Sequence, residues 1–176
     1  MKRQAGFTLT ELMTTMSIVA LLVGIGVPSY RYVTTANRMS SEINGLLGDL
    51  QFARSEAIKE GLKVVVCPST DGATCSGATD FKTGWIIWPD ANGNGSIDTG
   101  EGILRVQQAL TSADTIDSNA ATQITFNREG FADGLAAGTV ITLHDSTHKL
   151  VYTRCLQITV VGKMTTVTNA TDGTCT

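Results

Sequence analysis

The sequence has no block of basic residues. Thirteen Lys and Arg are scattered among sixteen Asp and Glu, for a formal net charge of −3. Loss of Lys2 and Arg3 with a leader would leave the remainder more acidic still, which disfavours non-specific nucleic-acid binding. Proline is scarce, at three residues against 18 glycines, and this suits short strands joined by tight turns better than a helical bundle. There is no internal repeat and no low-complexity tract. The four cysteines lack the double CxxC spacing of a zinc site. No serine or cysteine nucleophile has a credible base, and the acids are scattered rather than paired, so no enzymatic activity is expected. What the 176 residues and 42% hydrophobic content do provide is enough for one globular domain plus an appendage.

The appendage is N-terminal. Met1 to Gly6 is short and basic, and Phe7 to Val27 is apolar apart from threonines, one serine and Glu11. That is about the ~20 residues a membrane helix needs. Lys2 and Arg3 hold the N-terminus in the cytoplasm by the positive-inside rule, while Tyr30, Arg31 and Tyr32 suit the opposite interface. The small-residue cleavage pattern of a secretory signal is missing after the apolar stretch, where Gly24, Ile25, Gly26, Val27 and Pro28 stand instead, so the helix is retained. Glu11 is the anomaly: a carboxylate at membrane depth is costly and is present for a partner. With the rest of the chain exported, Cys67, Cys75, Cys155 and Cys175 form two sequence-local pairs, Cys67 with Cys75 and Cys155 with Cys175. As disulfides they fit an oxidising compartment, the bacterial periplasm or cell exterior; the alternative is four buried thiols. On the chain-entropy model the longer loop contributes about 3 kcal/mol and the shorter somewhat less.

Beyond Pro28, Ile43, Leu46, Leu50, Ala53, Ala57 and Ile58 recur at three- and four-residue spacing, with Leu47 among them and Glu42, Asp49, Arg54, Glu56 and Lys59 between, which predicts an amphipathic helix. One helix from Phe7 to about Glu60 would be roughly 80 Å long, with Gly61 as its stop and Pro28, after Gly24 and Gly26, as a kink or melting point. Residues 61–176 then read as a β-rich head. Strands are expected at Leu62 to Val66, Gly84 to Trp88, Ile103 to Leu110, Gln123 to Phe126, Thr139 to Leu143, Leu150 to Val161 and Met164 to Val167, with turns such as Asn92-Gly93, Asp133-Gly134 and Asp172-Gly173. The fold class is α+β, a long N-terminal helix packed on a mostly antiparallel sheet. Trp85 and Trp88 read as packing residues on opposite faces of a strand.

The run Lys2, Arg3, Gln4, Ala5, Gly6, Phe7, Thr8, Leu9, Thr10, Glu11, Leu12 resembles the class III signal of type IV prepilins. The resemblance implies cleavage between Gly6 and Phe7 by a prepilin peptidase, N-methylation of Phe7, and a Glu11 that meets the N-terminal amine of a neighbouring subunit. Thr10 departs from the branched apolar residue usual there. A narrower resemblance rests on Ala53, Arg54, Ser55, Glu56, Ala57, Ile58, on Val64, Val65, Val66, Cys67, Pro68, and on Gly84, Trp85, Ile86, Ile87, Trp88 before an Asp90, Asn92, Gly93 loop. Together these are similar to the GspH/FimT family of minor pilins and pseudopilins. Such a subunit is held in the bacterial inner membrane by a single pass with its head in the periplasm, and then enters a pilus or pseudopilus at the cell surface. Its partners are other major and minor pilins or pseudopilins, and it acts in pilus assembly or, in the homologous machine, in type II secretion.

Three further patterns bear on ligands. Asp90, Asn92, Asn94, Ser96, Asp98 and Glu101 fall at positions one, three, five, seven, nine and twelve of a loop with Gly95 at six, the spacing of an EF-hand calcium loop. Strands rather than helices flank it, so a β-hairpin tip whose Asn, Asp and Gly serve the backbone is the competing reading. His144 and His148 are four apart, which aligns two ligands only on a helix, whereas Asp145, Ser146 and Thr147 read as a turn. Some members of the resembled family bind DNA through a Gly-Arg-x-Arg motif. The counterpart here, Gly162, Lys163, Met164, Thr165, lacks both arginines, which leaves Lys149, Arg154 and Lys163 as a small basic patch or a solvated face.

Overall fold

The structure is a computed structural model that describes residues 6–118, 120–135, 138–168 and 175. Leader residues 2–5 and the Asp172-Gly173 turn lie outside them. The chain divides into two units, one up to Arg38 and one from Met39.

A single helix, α1, spans Leu9–Glu60. In the first unit its side chains are almost all exposed, among them Leu12, Met16, Leu21, Leu22 and Ile25. This stretch is long and apolar enough to cross a membrane. The helical backbone runs unbroken through Pro28, so the expected melting does not occur; only the hydrogen bond that a proline cannot donate is lost there.

In the second unit the same helix is amphipathic. Met39, Ile43, Leu46, Leu50, Ala53 and Ala57 are buried along one stripe, each three or four residues from the next, as a period of 3.6 requires. Ile58, counted with that stripe from spacing alone, is one position round the helix from Ala57 and is 53% exposed. The helix ends at Gly61, whose φ of +68° is the left-handed conformation of a C-terminal stop, with its N–H donated to the Ala57 carbonyl.

The head strands are β1 (Lys63–Pro68), β2 (Gly84–Asp90), β3 (Arg105–Gln108), β4 (Thr115–Asp117), β5 (Ile124–Phe126), β6 (Ala132–Asp133), β7 (Thr139–His144), β8 (Arg154–Ile158) and β9 (Met164–Val167). They form two antiparallel sheets, in the order β3-β2-β1-β5-β6 and β4-β7-β8-β9. The single strand expected over Leu150 to Val161 is broken into a 3-10 turn at Leu150–Tyr152, strand β8, and a turn at 159–162.

β1 and β2, inside the first sheet, are buried on both faces, which accounts for their unalternating apolar runs, whereas the edge strand β3 is exposed throughout. In register, Val65 faces Trp88 and Cys67 faces Ile86, while Val66 faces Ile87 and Pro68 faces Trp85. Cross-strand partners share a face. Val64, Val66, Trp85 and Ile87 therefore join the helix stripe in the main core, together with Ile141, Leu143, Leu156 and Ile158 from the second sheet. Val65, Cys67, Ile86 and Trp88 make a separate outer core covered by Cys75, Ile97 and Ile103. Both tryptophans are thus packing residues, each on its own face and each almost fully buried.

Candidate functional site

The first candidate is the start of α1. Thr8 precedes the first helical residue, and its N–H and hydroxyl both donate to Glu11 Oε2 at 2.9 Å, while the Glu11 N–H donates to Thr8 Oγ1 at 3.3 Å. This reciprocal pair is a capping box, Thr8-Leu9-Thr10-Glu11, and it explains why the helix begins at Leu9 rather than Phe7. Glu11 thereby has a local role that reading it as a membrane acid overlooked. Gly6 and Phe7, the residues either side of the expected cleavage, are exposed in extended chain before the cap. The collar of exposed apolar side chains that follows is a surface for lipid or for other apolar helices.

Two polar anchors hold the helical stripe to the sheets. Asp49 is buried within the stripe, and its carboxylate accepts the Trp85 indole N–H at 2.8 Å and an Arg105 guanidinium N–H at 2.6 Å. The Arg105 guanidinium also lies 4.1 Å from the centre of the Phe52 ring, a cation–π contact. One turn further on, Arg54 donates to the Gly130 carbonyl at 2.9 Å and to the Val161 carbonyl at 3.4 Å. It ties together two turns, one from each sheet, that the Ala132 N–H bonds across to Val160 O. The crossing is close: a Cβ on Gly162 would stand 2.1 Å from Gly130 O.

The structure joins Cys67 to Cys75 and Cys155 to Cys175 as disulfides. Cys67 sits in the outer core, so its bridge holds the 69–79 loop over that layer.

The 90–101 loop connects β2 to β3 and is closed by its own hydrogen bonds. The Asp90 carboxylate accepts from the Asn94 and Gly95 N–H groups, and Asn92 and Asn94 accept from backbone two residues on. Asp98 takes both Asn92 and Asn94 side-chain amides at 2.7 Å, and Glu101 takes the Ala91 and Asp98 N–H groups. Ser96 contributes its backbone N–H to this ladder. Among the described residues no group of three His, Cys, Asp or Glu is disposed to hold a metal ion.

The basic residues do not converge. Lys149 precedes the Leu150–Tyr152 turn and Arg154 begins β8, where it donates to the Val151 and Thr153 carbonyls, whereas Lys163 follows the turn beyond the strand's other end. Arg154 borders Ser40 and Asn44 of α1, and Lys163 borders Gln51 and Arg54, positions about 15 Å apart along a helix. The small patch expected from sequence is therefore split, because the strand that carries these residues runs alongside the helix.

Residues 42–162 match the family described as Type II transport protein GspH, and residues 1–27 match the Prokaryotic N-terminal methylation motif. Two curated sequences, each a Fimbrial protein of Pseudomonas aeruginosa, are 35% identical over 65 residues, which is 37% of this chain and 42% of theirs. The chain thus spans under half the length of the curated relatives it matches. Two crystal structures of the type IV minor pilin FimU of Pseudomonas aeruginosa share the fold. One has a TM-score of 0.60 at 22% identity over 73% of this chain and 87% of that one; the other has 0.53 at 21% identity over 76% and 90%. With its head matched from the amphipathic half of α1 to the turn after β8, and its N-terminus matched through the apolar half, the chain belongs to the GspH family of pilin-like proteins and carries their N-terminal methylation motif.

Proposed function

We propose that the mature chain is a minor pilin of a type IV pilus, a structural subunit that enters the filament through residues 7–27 and presents its head to other subunits near the tip. A prepilin peptidase cuts between Gly6 and Phe7, and Phe7 is then N-methylated. Before assembly the subunit waits in the inner membrane with its head in the periplasm. The observation that carries this reading is an exposed apolar helix with a single acid in its first turn, joined to a methylation motif. Once this helix leaves the membrane, water does not suit its surface, and other helices of the same kind do.

Glu11 supplies the test, because its two roles can be separated. Glu11→Gln preserves the capping box, in which glutamine serves as well as glutamate, but removes the charge that would meet a neighbour's amine. We expect this variant to remain membrane-inserted with a folded head and to be lost from sheared filaments. Normal incorporation of Glu11→Gln would refute the assembly role of the charge. The second reading, a minor pseudopilin of a type II secretion filament, is favoured by the description of the matched family. Complementation decides between them: rescue of surface filaments in a strain lacking its minor pilin, against rescue of protein secretion in a strain lacking its pseudopilin. A DNA-binding role is less well supported, since Lys163 is remote from Arg154 and Lys149.

A further inference from the structure

The connection between β7 and β8 brings together two histidines that their spacing in sequence would keep apart off a helix. His144 ends β7. The buried Asp145 carboxylate then accepts from the Thr147 hydroxyl, from the Thr147 N–H at 3.1 Å and from the Lys149 N–H at 2.9 Å, while the His148 N–H donates to the Asp145 carbonyl. This turn holds His148 at φ +51°, the one positive value at a non-glycine among the described residues. Histidine is among the few residue types enriched in that conformation, and a side chain kept there by its surroundings is a pointer to function. The two imidazoles end 5.1 Å apart, centre to centre.

That distance has a chemical meaning. With metal–nitrogen bonds of about 2.1 Å and about 1.1 Å more to each ring centre, two imidazoles on a tetrahedral ion have centres about 5.2 Å apart. The second shell fits as well. Thr153 is fully buried, and its hydroxyl lies 3.4 Å from the Lys149 carbonyl, to which it donates, and 3.2 Å from His144 Nδ1. With its hydrogen so directed the hydroxyl accepts from Nδ1, and this network assigns the free lone pair to Nε2. A metal-binding histidine is oriented in this manner, through its other ring nitrogen.

The surrounding charge favours a cation. Asp117 on β4 shares the face of His144, since it is in register with Thr142 two residues earlier, and Asp145 adds a second carboxylate from the turn.

We propose that His144 Nε2 and a ring nitrogen of His148 form a two-imidazole site for a zinc ion, with water in the remaining positions. The site is exchangeable rather than structural, because a closed zinc site takes four protein ligands. The test is calorimetric titration of Zn²⁺ into the full chain in detergent, free of any polyhistidine tag. We expect one ion per chain. His148→Asn, which tolerates the left-handed backbone and lacks the imidazole, is expected to abolish binding with an unchanged circular-dichroism spectrum. His148→Gly serves the same purpose if the asparagine variant fails to fold. Thr153→Val, which leaves both histidines in place, is expected to weaken binding by at least about tenfold. No heat from the native chain at hundred-fold excess zinc, or undiminished binding by the folded His148 variant, would overturn the proposal.

Discussion

Replacing Asp49 tests which interactions fix the helix to the sheet. Its carboxylate serves two donors of different kinds: the Trp85 indole is buried, while the Arg105 side chain is 46% exposed. Removing an acceptor from a buried N–H costs about 1–3 kcal/mol, whereas an ion pair with one half-exposed partner contributes below about 1 kcal/mol. Asp49→Ala loses both and is expected to destabilise the head by about 1–4 kcal/mol. Asp49→Asn keeps an oxygen for Trp85, loses only the charge, and is expected to cost about 1 kcal/mol or less. The isolated head, residues 39–176, holds every residue of both cores, and its thermal unfolding with disulfides intact is a suitable assay. At about 3–5 °C per kcal/mol for a domain of this size, the alanine variant should melt roughly 3–20 °C below the parent and the asparagine variant within about 5 °C of it. Arg105→Ala should cost little more in the Asp49→Ala background than the loss of its contact with Phe52. Equal destabilisation by Asn and Ala would refute the reasoning, since it would place the energy in the charge rather than in the buried N–H.

Stability of the head should fall in two steps on acidification. His144, held low first by burial and then by His148, favours the neutral form in the folded state, so its contribution is fully present above pH 6.5 and is lost as pH falls below that through the lower folded-state value. Asp71 is held below the carboxylate range by the Ala73 and Thr74 N–H groups; for Asp145 burial acts upward, but the Thr147 and Lys149 hydrogen bonds outweigh it. Their contributions are present above about pH 4 and lost below it. A melting temperature that stays flat from pH 7.5 to 5 would exclude the histidine step. Gly162→Ala must place a methyl 2.1 Å from a carbonyl at φ +74°, whereas Gly134→Ala meets nothing within 4 Å at φ +79°. The first should therefore cost clearly more than the ~1–2 kcal/mol of backbone strain expected of both, and equal melting temperatures would contradict the close crossing. Because the 90–101 loop is closed by its own donors, millimolar calcium should give no heat and no rise in melting temperature; a rise would restore the calcium reading.

Sequence periodicity located α1 and most of the strands because each buries a long, regular stretch of side chains. β6 escaped it with only two residues, and β4 because its single buried apolar residue, Ile116, stands between two polar ones, whereas the equally short β5 alternates Ile124 and Phe126 about a threonine. The break at Leu150–Tyr152 was hidden by residues apolar enough for either structure. Asp49 reads as a spacer between apolar positions, yet it lies three residues after Leu46 and four before Ala53, which places it on the buried stripe; heptad arithmetic would have marked it. The capping box was likewise present as Thr8-x-x-Glu11, and the membrane cost of the acid drew attention from its simpler local partner. The histidine pair was visible as a spacing across a turn, but not its close approach, which depends on that turn holding a non-glycine residue at positive φ.

The outer core of the first sheet has a consequence for maturation. Trp88, Ile86 and Val65 are covered by Ile97 and Ile103 from the connection between β2 and β3 and by Cys75 from the 69–79 loop, and the bond between Cys67 and Cys75 ties that loop to the layer beneath. The main core contains neither of these cysteines. In reducing surroundings, then, a head can assemble its helix-side half while the part of this cover that Cys75 provides stays unfastened. Oxidation is the step that fastens it. A reduced head should therefore differ from an oxidised one on the face away from the helix, and limited proteolysis of the two forms would show whether the 69–79 loop is the site of first cleavage.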